Sequence, residues 1–244
     1  MGPSFAGDTG KGPEVSDSKP MRMRIGESVF CAGYLAFALI AGMVLAAHES
    51  GEAGGFCNTC AAMALLLCFG DAFHLIPRIL INLRGDAHSA LQKHRRAFWL
   101  GLGSLISSIT MTVFYVLLPD AMRQMPGAPT VAASSLRVLH VVLIVLAVVR
   151  IILCLLPQNR WFDARGDARW GMYRNVPFLA MGAITIWYLV AWYGAWLMAV
   201  LVFVSFVCYL LVVLLAREYP AVGMLMIPKT ICYIWMIALF LAAL

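Results

Sequence analysis

Charge is what this chain has least of. Only 12% of its 244 residues are Asp, Glu, Lys or Arg, 62% are hydrophobic, and mean hydropathy is +0.86. Soluble domains carry roughly 25% charged residues, so a water-soluble fold of this length would expose far more apolar surface than it could hide. Lipid removes the difficulty, and the chain reads as one membrane domain. A disulfide framework is missing as well. The seven cysteines (31, 57, 60, 68, 154, 208 and 232) are odd in number and lie mostly inside apolar runs, where a thiol behaves as a small hydrophobe. No repeat of 20–50 residues is evident, so a solenoid is not indicated.

Long apolar runs are what is present. The first covers 29–48, too long for the usual signal-peptide core, and reads as an uncleaved span. Six more lie near 57–83, 97–118, 138–156, 176–193, 195–216 and 222–244, each close to the roughly 20 residues that cross a bilayer. The fifth and sixth are parted only by Tyr193-Gly194, between Trp192 and Ala195-Trp196. A tight hairpin with an aromatic interfacial cluster fits there; without that turn the count falls to six. The expectation is an all-α integral membrane protein, a seven-helix transmembrane bundle spanning 29–244.

Residues 1–28, rich in Gly, Pro and Ser, are expected to form a disordered tail. Ala6 stands where a myristoylation signal has Ser or Thr, so Gly2 is not expected to be acylated. The cations set an orientation. The tail, the 84–96 segment, the 158–174 segment and Arg217 together hold thirteen Lys and Arg, against Arg123 and Arg137 on the opposite side. That asymmetry puts the N-terminus in the cytoplasm and the C-terminus outside, in the cell membrane. The net charge of +6 is therefore a topology signal, and nucleic acid is not an expected partner.

Asp71 is the one acid inside any of the seven runs, within Phe69-Gly70-Asp71-Ala72-Phe73-His74-Leu75-Ile76-Pro77-Arg78. Counted at about 1.5 Å per residue from the run's inner end, it lies ~18 Å deep. His74, Arg78 and Asn82 follow at helical spacing and share its stripe. Pro77 withdraws the donor that would bond the Phe73 carbonyl, so a kink beside His74 is expected. Arg150 and Lys229, the latter just after Pro228, bring further cations to the inner half of other runs. Ionisable groups at such depth tend to face a protein interior or a wet cavity.

Asp71, His74, Arg78, Arg150 and Lys229 thus form the candidate ligand-binding set. The cations would hold an anionic or zwitterionic solute or a lipid headgroup, and Asp71 with His74 would handle a proton. The competing reading is a lock in which Asp71 pairs with Arg150 to tie two helices. An intramembrane enzyme acting on a lipid-like substrate would need a second acid, a nucleophile motif or a metal set that the runs do not supply. No cofactor and no metal are expected.

Four smaller features complete the pattern. Cys57-Asn58-Thr59-Cys60 opens the second run, and Cys57 with Cys60 has the spacing of a redox pair. Gly101, Ser104, Ser108 and Thr112 share a face of the third run, suited to close helix packing or to a homo-oligomer contact. His140 is expected to make an interhelical hydrogen bond. The 158–174 segment interleaves arginines with Trp161, Phe162, Trp170 and Tyr173, which suits an anionic membrane surface.

The seven-run, N-inside layout resembles the progestin/adipoQ receptor and haemolysin III membrane hydrolases, which surround zinc with an Asp and several His. The last run here has no histidine, so their HxxxH pair is missing. A lysine in the last run also resembles heliorhodopsins, which would give Lys229 a chromophore-linking role. The third run then lacks an acidic counterion.

Overall fold

The computed structural model describes residues 21–48, 54–84, 90–163, 167–215 and 219–244. Seven α-helices account for most of them: α1 (Met21–Ala47), α2 (Gly54–Arg84), α3 (Ala90–Gln124), α4 (Ala133–Leu155), α5 (Ala168–Tyr193), α6 (Trp196–Leu215) and α7 (Met226–Ala242). Short 3-10 turns at Pro157–Asn159 and Pro220–Leu225 precede α5 and α7. The described residues contain no strand. All seven helices are long and apolar enough to cross a membrane, and this architecture is consistent with a polytopic membrane protein.

Several helices outrun the apolar stretches that announce them. The first eight residues of α1 and the first turns of α3 and α5 are polar or mixed. Hydropathy marks the part of a helix that lipid would touch, whereas backbone hydrogen bonding continues into water. The tail's residues 21–28 are consequently helical, and residues 1–20, Gly2 among them, lie outside the described part. Two further acids fall within helices as a result, Glu27 in α1 and Asp120 in α3. Asp71 is therefore not alone.

The hairpin between α5 and α6 forms where expected. Gly194 takes φ 58° and its N–H reaches back to Val190, while the Ala195 N–H bonds the Leu189 carbonyl at 2.9 Å. This paired closure satisfies the last carbonyls of α5 and needs a residue that tolerates the left-handed region. Pro228 also finds its explanation. It sits at the third position of α7, where its missing N–H would have had no helical partner.

Helices adjacent in sequence pack side by side, and α7 returns to α1 to close the ring. End-to-end pairs fix the alternation: Arg24 with the Ile81 carbonyl, Gln124 with Thr59, Phe56 with Phe240, and Phe98 stacked on Phe162. The interior is filled by Tyr34, Met63, Leu67, Phe114, Tyr115, Leu143, Met181, Val202 and Met236. On α4, Leu136, Leu139, Leu143, Ala147, Arg150 and Cys154 form the buried stripe, and Val138, Val141, Ile144, Val148 and Ile152 are exposed opposite. An apolar exposed face is what a lipid-facing helix requires.

The small residues of α3 are used within the chain. A methyl group on Gly103 would overlap the Phe73 carbonyl and the His74 backbone, and one on Gly101 would overlap the Trp161 carbonyl. The carbonyl that Pro77 leaves without its helical donor thus lies against the one residue type that lets α2 and α3 approach this closely.

Candidate functional site

Asp71 faces inward between α1 and α3. Tyr34 Oη donates to its Oδ2 at 2.8 Å and Ser107 Oγ donates to its Oδ1 at 2.7 Å. Both carboxylate oxygens are therefore held by hydroxyls. Among the described residues no cation lies within ion-pair distance of Asp71, and the pairing with Arg150 expected of a charge lock is not formed. One turn along α2, His74 Nδ1 stands 3.4 Å from Ser104 Oγ, whose proton goes to the Leu100 carbonyl at 2.8 Å. His74 feels the charges of Arg78, Asp71 and Lys229. Arg78 is half-buried on this same α2 side.

Arg150 stands apart from that group. The inward stripe of α4 carries it into the core, where it is 1% exposed, with its guanidinium carbon 3.3 Å from the centre of the Phe178 ring of α5. Its Nε and Nη1 have no hydrogen-bond partner. Lys229 comes from the first turn of α7 and hangs over two phenol rings, 5.2 Å from Tyr209 and 5.5 Å from Tyr233. It feels the charges of both Asp71 and Arg150 but lies beyond ion-pair distance of Asp71. The ligand set read from the sequence thus divides. Asp71, His74 and Arg78 occupy the α2 side, Arg150 and Lys229 the α4–α7 side, and Lys229 lies within electrostatic range of both.

An aromatic frame supports the two cations. Phe178 packs on Phe206 at 4.6 Å and on Tyr115 and Tyr209 at 5.5 Å between ring centres, and Tyr115 packs on Phe206 at 5.0 Å. Tyr209 Oη donates to Asn175 Oδ1 at 2.7 Å. The hydroxyls of Tyr115 and Tyr233 lie 3.1 Å apart, and the buried Ser205 Oγ stands beside both. Sequence reasoning missed Tyr115, Phe178, Ser205, Tyr209 and Tyr233. A signal existed for one of them, since Tyr233 follows Lys229 by one helical turn and shares its face.

Energetics make Arg150 unusual. A cation over an aromatic face gains about 2 kcal/mol when desolvated, whereas taking an ion from water into a protein interior costs several kcal/mol. Phe178 alone does not offset that penalty. The groups gathered here are mainly donors: two guanidinium nitrogens, an ammonium and a serine hydroxyl, with the Asp71 carboxylate felt by the ammonium but not in contact with it.

The remaining candidates fall elsewhere. Cys57 and Cys60 are free thiols, both buried in the first turns of α2. His140 comes within 3.5 Å of Asp120 Oδ1, which also meets Arg123 at 3.5 Å, at the end of the bundle opposite the start of α1. No group of three or more His, Cys, Asp or Glu among the described residues could hold a metal ion.

The basic aromatic segment folds back in part as a cap. Asn159 Nδ2 donates to the carbonyls of Leu153 (2.6 Å) and Leu156 (2.9 Å), its Oδ1 accepts from Arg174 at 2.7 Å, and Arg174 lies over Trp161 at 3.9 Å. Asp167 caps α5 by accepting from the amides of Arg169 and Trp170. The Trp170 amide, with Arg169's, holds its carboxyl below the usual aspartate range.

No family model, curated protein or solved structure matches this chain. Its function has to be argued from the bundle itself.

Proposed function

We propose that this membrane protein binds a small anionic or zwitterionic solute between α3 and α7 and moves it across the bilayer. One observation carries the reading. Arg150 is buried with two unsatisfied guanidinium nitrogens and no carboxylate beside it. Among the described residues Lys229, which feels that charge and the more distant Asp71 carboxylate, has no ion pair either. Two buried cations with no described carboxylate in contact suit a ligand that brings its own negative charge. Prolines inside α2, α3 and α5 support the movement, because each withdraws one rung of the helical ladder where a helix can flex.

The cation asymmetry supports an amino-terminal end facing the cytoplasm of a cell membrane. Asp71 belongs to a second reading within the same molecule. Its two hydroxyl contacts favour a tie between α1, α2 and α3 over direct contact with solute. The test is flux from proteoliposomes loaded in turn with chloride, nitrate, acetate, phosphate and glutamate. At least one solute should leave faster than from protein-free liposomes, and Arg150→Gln should abolish the difference. Equal leakage for every solute, or flux indifferent to Arg150→Gln, removes the proposal.

A further inference from the structure

We infer that the solute is a monatomic anion, a halide such as chloride, seated among Arg150, Ser205, Tyr115, Tyr233 and Lys229; this rests on the anion-binding reading above. Three observations point to its chemistry and size.

The first is that the unsatisfied groups are donors. Arg150 Nε and Nη1 are buried without partners, and the Ser205 hydroxyl, a further donor, stands beside both phenols, at residues each 1% exposed. Tyr115 and Tyr233 share a single hydrogen bond between two hydroxyls. One of the two phenol protons is used in that bond and the other remains to be given. Tyr209 is not part of the set, because Asn175 takes its proton. Buried polar groups are nearly always satisfied, and those that are not call for an explanation such as an ion or water. Arg150 and Lys229 disfavour a cation here, whereas an anion accepts from every one of these groups.

The second observation is that these donors share one neighbourhood. Tyr115 feels Arg150 and lies beside Ser205 and Tyr233, and its ring packs on Phe178, the ring over which Arg150 lies. Helices α3, α4, α6 and α7 therefore each aim a donor into the same region.

The third is spacing. Ring centres only 4.6 to 5.5 Å apart around Phe178 are in direct contact. A carboxylate or phosphate with a body attached would have to part these rings. A bare spherical ion displaces them least, and it needs no directional acceptor geometry from its donors.

The test uses the full chain in lipid nanodiscs, with thermal unfolding followed at constant ionic strength as gluconate is exchanged for chloride, bromide, acetate or phosphate. Chloride and bromide should raise the midpoint saturably, and acetate and phosphate should not. Ser205→Ala should weaken the apparent halide affinity about tenfold, the loss of one charge-assisted hydrogen bond. Arg150→Met should remove the response. Ser205→Ala changes one oxygen only, so it decides the matter if Arg150→Met does not fold. A halide response absent from the native chain, or unchanged in Ser205→Ala, overturns the inference. Stabilisation or flux with acetate, phosphate or glutamate but not with halide overturns the halide assignment and leaves the wider anion reading standing. Neither halide nor any other anion acting removes both.

Discussion

Arg150 and Asp71 are opposite charges in one bundle, yet each finds a different kind of partner. Asp71 is held by two hydroxyl donors, a local arrangement that needs only Tyr34 and Ser107 to face it. Asp71→Asn keeps one acceptor and leaves a buried hydroxyl without its partner. It should lower stability by about 1–3 kcal/mol, read from chemical denaturation in detergent. Arg150 finds the Phe178 ring and the neighbouring Cys154 thiol, and two of its guanidinium nitrogens stay unsatisfied. An ion buried without a counter-charge carries a desolvation cost of several kcal/mol, which an apolar chain of similar length removes. Arg150→Met should therefore melt higher than the native chain in gluconate, and a lower midpoint there would mean that the guanidinium is already satisfied. A residue kept at a cost in stability is a residue with a task.

Among the elements, α2 and α3 carry the closest contact of the bundle. Gly103 admits the Phe73 carbonyl that Pro77 releases, so a side chain there would push apart the two helices that hold Asp71, His74 and Ser107. Gly103→Val should cost about 3 kcal/mol, the upper end of ordinary overpacking, checked by thermal unfolding in detergent. The start of α5 offers a pH-dependent reading. Asp167 accepts from the amides of Trp170 and Arg169, which lowers its carboxyl pKa in the folded chain. Its contribution is complete above the ordinary aspartate pKa of about 3.9. It is lost as pH falls through the depressed folded value. Amide protection in the first turn of α5 should therefore drop on acidification through that window, and in Asp167→Ala it should be low and flat with pH.

For the molecule as a whole, the ring closes through α1 and α7, and the end-to-end pairs make every helix antiparallel to the next. The connections rich in Lys and Arg consequently share one end with the start of α1, and the thirteen-to-two bias predicts that this end is cytoplasmic. Of the native thiols, six are buried and Cys31 is partly so. A single added cysteine can therefore report sidedness. In intact cells Thr130→Cys should react with a membrane-impermeant thiol reagent and Phe162→Cys only after permeabilisation. The reverse pattern would invert the orientation and the direction from which solute enters.

Composition and periodicity alone determined seven helices long and apolar enough to span a membrane, including the turn at Gly194, because apolar length and a glycine between two runs are local properties of the chain. The same reading found Asp71, Arg150 and Lys229, since an ionisable residue in an apolar run is visible without coordinates. Which of them meet could not be read from it. Depth along a helix follows from counting, but the direction a side chain faces depends on how neighbouring helices rotate and tilt. That rotation gave Asp71 to Tyr34 and Ser107 instead of Arg150. It also turned the small-residue face of α3 inward and set five unremarked residues, Tyr115, Phe178, Ser205, Tyr209 and Tyr233, around the two cations. Tyrosine and phenylalanine carry no signal in an apolar run, because there they look like any other core residue. Only packing, which depends on the whole bundle at once, decided that they frame a charge.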